Sequence, residues 1–234
     1  MGVPWPSPAR ARPNRPTRPQ RRTRPNGQGM VEFALVLPVF LLVLMAVIEF
    51  SFAFNAFLSV SFASRNATVI ATETCGDGTC GHLREFPFSD CQILMSIERD
   101  MMAPASAQQI GQVEIMWTDA NGVIKGNGSA ITTWARTGST ACNDDGLRVP
   151  YTRTSNQYPH DERCSIVNGC PTLDGVGSDT HATIDTIGVR ITYQYNWHTP
   201  YAAVFQLLPG AVDIPPAGGW QITRSAEMRM EPTL

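Results

Sequence analysis

One run of residues constrains this chain more than any other. Phe33 to Ile48 (FALVLPVFLLVLMAVI) holds 16 residues without a charge, set between Glu32 and Glu49. Apolar character then resumes through Phe50, Phe52, Ala53, Phe54, Phe57 and Leu58. A bilayer core takes about 20 mainly apolar residues in a helix. Met30 to Phe50 meets that length if the two glutamates sit near opposite interfaces. At ~1.5 Å per residue they stand roughly 26 Å apart, close to the core thickness of about 30 Å. Pro38 removes one backbone donor and is expected to bend the helix modestly. A secretory signal is the competing reading, but its apolar region is roughly 7–15 residues long and ends at a small-residue cleavage site. Here the run is longer and passes into FSFAFNAF, where no A-x-A site occurs. We read a single membrane pass, at about residues 30–50.

Charge orients that pass. Seven of the 18 basic residues lie between Arg10 and Arg24, and no acid precedes Glu32. The rest of the chain carries 11 basic against 20 acidic residues. Arginines before the span and an acidic body after it place the N-terminus in the cytoplasm and the C-terminal body outside. Residues 1–27, rich in Arg and Pro, have no apolar periodicity and read as a disordered leader. A nucleic-acid-binding arm is the alternative for that leader, but the acidic body gives no reason to expect a nucleic-acid partner.

The helix is expected to outlast the membrane. Ala56 to Thr72 has no Gly or Pro, and Phe57, Val60, Ala63, Ala67 and Ile70 recur at spacings of three and four. Gly76 and Gly78 end it. A helix from about Met30 to Glu73 would run roughly 65 Å, half in lipid and half packed on a domain.

Residues 74–234 are enough for one α+β head. A short helix is expected from Cys91 to Ala103, closed by Pro104. Gln112 to Thr118 alternates, with Val113, Ile115 and Trp117 on one face; Asp119 to Gly122 supplies a turn, and a returning strand follows from Val123. The clearest strand is Thr186–His198, where Ile187, Val189, Ile191, Tyr193, Tyr195 and Trp197 share a face. Tyr201–Leu208 reads as a helix. Trp220–Met230 reads as a last strand with Ile222, Ala226, Met228 and Met230 inward. The economical architecture is an antiparallel sheet packed on the exposed half of the long helix. About 138–182 the sequence turns polar and turn-rich, which reads as an insertion.

All six cysteines, Cys75, Cys80, Cys91, Cys142, Cys164 and Cys170, follow the membrane run. An even count in an oxidising compartment points to three disulfides, with about 15 pairings open. Local loops would join Cys75 to Cys80 and Cys164 to Cys170, leaving Cys91 for Cys142. Zinc is the sharper alternative at Cys75, Cys80, His82 and Cys91, but their spacing is not a standard one. Loop carboxylates around Asp144 and Asp145 could bind calcium, though without EF-hand order. No catalytic motif appears, so neither cofactor nor enzymatic activity is expected.

The segment GQGMVEFALVLPVFLLVLMAVIEFSFAF (27–54) resembles the TadE-like family of tight-adherence pilus assembly proteins, pseudopilins or minor pilins related to Flp-type pilins. Gly27, Gln28, Val31, Glu32, Phe33, Ala34, the LVLP of 35–38 and Glu49-Phe50 carry the likeness. The strand VRITYQY (189–195), a helix after TPY and the closing TRSAEMRMEP fit more loosely. The resemblance implies a pilin-like plan and a prepilin-type peptidase that cuts after Gly27. Gln28 then becomes the first residue and Glu32 the fifth, whereas a cut after Gly29 would make Glu32 the third. Glycine suits the site because extended backbone must enter a protease cleft unhindered. Phe33 departs from the tyrosine usual in the major pilins of this class.

The resemblance gives Glu32 a role in pairing with a freed N-terminal ammonium; the bland alternative is a carboxylate reaching headgroup water. An unpaired acid at the bilayer centre costs ~2.5–3.5 kcal/mol, so a partner would favour docking at the right depth. Glu49 reads as an interfacial residue. Phe40, Phe50, Phe54 and Phe57 are candidate packing knobs between helices, with lipid contact as the alternative for each. The partners implied are membrane lipid, other pilin or pseudopilin subunits, the assembly platform and the prepilin peptidase, on a bacterial plasma membrane. Competing functions are an uncleaved, anchored adhesion or ligand-binding module and an anchored metal-binding enzyme.

Overall fold

The computed structural model describes residues 28–73, 88–136, 142–144, 147–159, 163–164, 184–200 and 219–230. The leader, the expected helix at 201–208, and Cys75, Cys80 and Cys170 lie outside them. The chain divides into two units, Met1–Leu41 and Leu42–Leu234. The first is described only as turns of helix.

Helix α1 spans Gln28–Glu73 and continues unbroken through Pro38. In the larger unit, Ala56, Val60, Ala63, Ala67 and Ala71 are each no more than 1% exposed. Their spacings of three and four place them in one stripe. The expected stripe shared Val60, Ala63 and Ala67, but its outer members Phe57 and Ile70 lie at the margin, half-buried. Methyl groups replace larger side chains along the centre because the helix backbone comes very close to the strands. Thr68 Oγ1 donates to Ser64 O at 2.7 Å and lies 3.1 Å from Ala226 O on the facing strand.

Helix α2 spans Phe88–Asp100 and buries Cys91, Ile93, Leu94 and Ile97. It begins before Cys91 and stops short of the expected Ala103. Pro104 excludes its predecessor from helical backbone, and Asp100 at the helix end accepts a hydrogen bond from Asn66 Nδ2 of α1 at 2.7 Å.

Five antiparallel strands form the main sheet: β1 (Ile110–Thr118), β2 (Ile131–Arg136), β5 (Tyr151–Asn156), β6 (Thr186–Tyr195) and β7 (Trp220–Arg229), in the order β5-β2-β1-β6-β7. A separate hairpin joins β3 (Cys142–Asp144) to β4 (Leu147–Val149). On β6 the alternation holds: Ile187, Val189, Ile191, Tyr193 and Tyr195 are fully buried. Val113 and Ile115 of β1 lie opposite Ile191 and Val189 and are buried with them. The opposite face stays polar, with Arg190 and Glu114 paired at 3.1 Å.

Two further sequence expectations need correction. The strand expected from Val123 makes only a single bridge, Thr118 to Ile124, before a 3-10 turn at Gly126–Gly128 diverts the chain. Gly126, Asn127 and Gly128 all have positive φ, a backbone no strand can carry, so pairing resumes only at Ile131. The region 138–182 is not wholly an insertion, because β5 pairs with β2 at one edge of the main sheet. Met228 lies on the inward face as expected, opposite Ile187 and with its sulfur 3.6 Å from Thr72 Oγ1 of α1. It stays 42% exposed because β7 is an edge strand that the helix covers only in part.

A buried charge network closes the far side. Arg163, 1% exposed, pairs with Asp90 of α2 at 2.6 Å and lies over the Tyr158 ring. Asp90 also accepts from Trp134 Nε1, while Asp185 accepts from Tyr158 OH and Cys164 N. Sealed from solvent, this network fastens α2, β2 and the 163–164 segment together.

Candidate functional site

The candidate site is the outer surface of α1. Phe33, Phe40, Phe50 and Phe54 are 64%, 54%, 70% and 52% exposed, and Leu58 and Phe62 extend the exposed series. Phe57 is half-buried, and its ring stacks with that of Phe54 at 6.4 Å. Pro38 and Glu32 are exposed on the same helix. Gly27 lies outside the described residues, as does the side chain of Gln28. The most apolar 18-residue stretch of α1 is wholly unburied, and the helix is long and apolar enough to cross a membrane.

Glu49 has partners that the sequence did not show. Expected at an interface, it is 2% exposed and enclosed by the end of β6. One carboxylate oxygen accepts from Tyr195 OH and from the His198 backbone N–H at 3.1 Å. The other accepts from the Thr199 N–H at 2.8 Å and from Thr199 Oγ1 at 2.6 Å. The reason is reciprocal need. A buried tyrosine hydroxyl and two backbone N–H groups past a strand end want acceptors, and a buried carboxylate wants donors. Burial first, and then the bond to Glu49, push the Tyr195 hydroxyl well above its ordinary pKa.

Glutamate, tyrosine, histidine and threonine together invite a reading as acid–base machinery. The geometry serves anchorage instead. A carboxylate offers about four acceptor positions, and four donors from the protein occupy them. His198 Nδ1 lies 3.3 Å from Tyr195 OH, and its ring packs on Phe52. Sequence reading missed Tyr195, His198 and Thr199 as partners. The only signal was an acid ending an apolar run, and it did not say what it faced.

Of the cysteines, Cys91 and Cys164 are buried, and neither is a free thiol. Cys91 is therefore no thiolate ligand for the zinc alternative. The side chain of Cys142 is not among those described. Among the described residues no cluster of His, Cys, Asp and Glu is arranged to hold a metal ion.

No curated protein and no solved structure matches the chain. The part of the molecule that presents the exposed apolar surface does have a match: residues 27–68, nearly all of α1, fit the family model described as TadE-like protein.

Proposed function

We propose that this chain acts structurally, as a pseudopilin or minor pilin in assembly of a tight-adherence pilus at a bacterial plasma membrane. The observation that carries this reading is that α1 keeps large apolar side chains exposed on both sides of Glu49. Those before it suit lipid. Phe50, Phe54, Leu58 and Phe62 come after it, on the part of the helix that packs against the sheet, and suit the helices of other subunits. The TadE-like match over 27–68 points to the same process.

In this reading the N-terminus is cytoplasmic, α1 makes one pass, and the head lies outside with three disulfides. Glu49 marks the outer limit of the span, because a carboxylate held by the head belongs beyond the hydrocarbon. A prepilin peptidase cuts between Gly27 and Gln28, and Glu32 then pairs with an N-terminal ammonium in the assembly.

The test is the intact mass and N-terminal sequence of the native protein, with parallel analysis of sheared fibres. A start at Gln28 that disappears when the peptidase is deleted, together with the chain in fibres, is the expected result. An intact arginine-rich leader and no chain in fibres would overturn it in favour of an anchored adhesion module.

A further inference from the structure

Beside the exposed ridge of α1, the helix and β7 enclose a groove lined by Phe57, Leu58, Ser61, Phe62, Arg65 and Arg224. Its chemistry is unlike the rest of α1. Arg224 reaches across from the edge strand and places its guanidinium carbon over the Phe57 ring, 3.9 Å from the centroid. Arg65 is exposed on the helix itself. Among the described residues neither guanidinium has an acid as partner, although acids outnumber bases in the chain beyond the leader.

We infer that this groove receives an apolar helix of another subunit that carries a carboxylate, with Arg65 and Arg224 as its two cationic contacts. The inference rests on the proposed assembly role of α1 and names the chemistry of its partner. Three observations select the occupant. Phe50, Phe54, Leu58 and Phe62 recur every fourth residue, which makes a ridge of the kind that packs into a facing helix. The groove adjoins that ridge, so one helix can cover both. Two guanidiniums without an acid partner among the described residues lie beside it and suit a planar anion. A carboxylate is the anion a protein helix supplies. A lipid headgroup fits less well. Arg65 lies about 24 Å along α1 from Glu49 at ~1.5 Å per residue, whereas headgroups extend only about 5–8 Å past the hydrocarbon.

The test places a photo-crosslinking phenylalanine analogue at position 62 of the full chain in native membranes and identifies adducts by mass spectrometry. The expected adduct is an apolar peptide with Asp or Glu within one helical turn of the attachment point. Its yield should fall about tenfold in Arg65→Glu/Arg224→Glu and stay within about twofold in Arg65→Lys/Arg224→Lys. Should the double charge reversal disturb the head, Arg65→Glu alone serves, since that side chain is exposed. Adducts to lipid, adducts to peptides without an acid, absence of any adduct, or yields indifferent to charge each overturn the inference. The two readings separate cleanly. A charge-dependent helix adduct in cells where the chain never enters fibres keeps the groove and removes the pilus. Incorporation into fibres without such an adduct does the reverse.

Discussion

Helix α1 is one element with two surfaces. Before Glu49 it is apolar all round: Val36, Val39, Phe40, Leu41 and Val43 point in different directions and are all largely exposed. After Glu49 it is two-faced, with Ala56, Val60, Ala63, Ala67 and Ala71 buried and Phe50, Phe54, Leu58 and Phe62 outward. A helix surrounded by hydrocarbon gains from large apolar side chains in every direction. A helix laid on a sheet gains by bringing its backbone near, which requires small residues on the contact stripe. The usual order is thus inverted in the second half, where the small residues are inside and the large ones outside. Such exposure has a use only if something else covers it.

Glu49 is the joint between the halves, and breaking it should have the largest effect. Glu49→Ala removes the carboxylate acceptor of the buried Tyr195 hydroxyl and of the part-buried His198 and Thr199 N–H groups. The buried hydroxyl costs about 1–3 kcal/mol when left unsatisfied, and the part-buried N–H groups, which water can reach, cost less. A loss of about 2–4 kcal/mol is therefore expected. Thermal unfolding of the full chain in detergent reads it, and Glu49→Gln should lose less.

Next comes a charge in the first half. Leu41→Arg should cost ~3 kcal/mol of membrane insertion and lower the membrane-integrated fraction. The head's unfolding midpoint should not move in the molecules that do insert. The reciprocal change in the second half, Ala67→Leu, should leave insertion alone and destabilise the head by about 1–3 kcal/mol through overpacking. If each variant produced the other's effect, the division of α1 at Glu49 would be wrong.

The head half should also respond to alkali. Burial raises the hydroxyl pKa of Tyr151, Tyr158, Tyr193 and Tyr195. Below the ordinary tyrosine pKa of about 10 both folded and unfolded chains are protonated, so these groups make stability flat between about pH 7 and 9. Above it the unfolded chain loses protons that the folded chain keeps, and stability falls by up to ~1.4 kcal/mol per tyrosine per pH unit. Urea unfolding of the detergent-held protein at stepped pH measures the slope. Stability that rose above pH 10 would contradict the burial of these rings.

The smallest effect belongs to the outward ridge. Phe54→Ala should change head stability by no more than about 0.5 kcal/mol, as for an ordinary surface substitution, while reducing recovery of the chain in fibres. An equal fall in both would make Phe54 a part of the fold.

Much of this was legible in the residues because periodicity is a local property. The uncharged run, the three-and-four spacing of Val60, Ala63 and Ala67, and the alternation of Ile187 to Tyr195 each declare an element and the face it buries. Where the local signal was weak, the reading slipped. Val123 follows a good turn, yet Gly126 and Gly128 break the strand. Tyr151–Asn156 lies in a polar stretch because an edge strand has one neighbour and needs little apolar content.

What the sequence determined by itself was the helix, its lipid-suited first half, the antiparallel α+β plan and the segment that matches the TadE-like family. Only the tertiary structure decided that Glu49 is buried and that Arg224 joins Arg65 beside Phe57. Glu49 meets Tyr195 across 146 positions of chain. No period in a sequence spans that distance. The register of β6 and β7 against α1 sets which side chains arrive together, and register follows from the packing of the whole sheet.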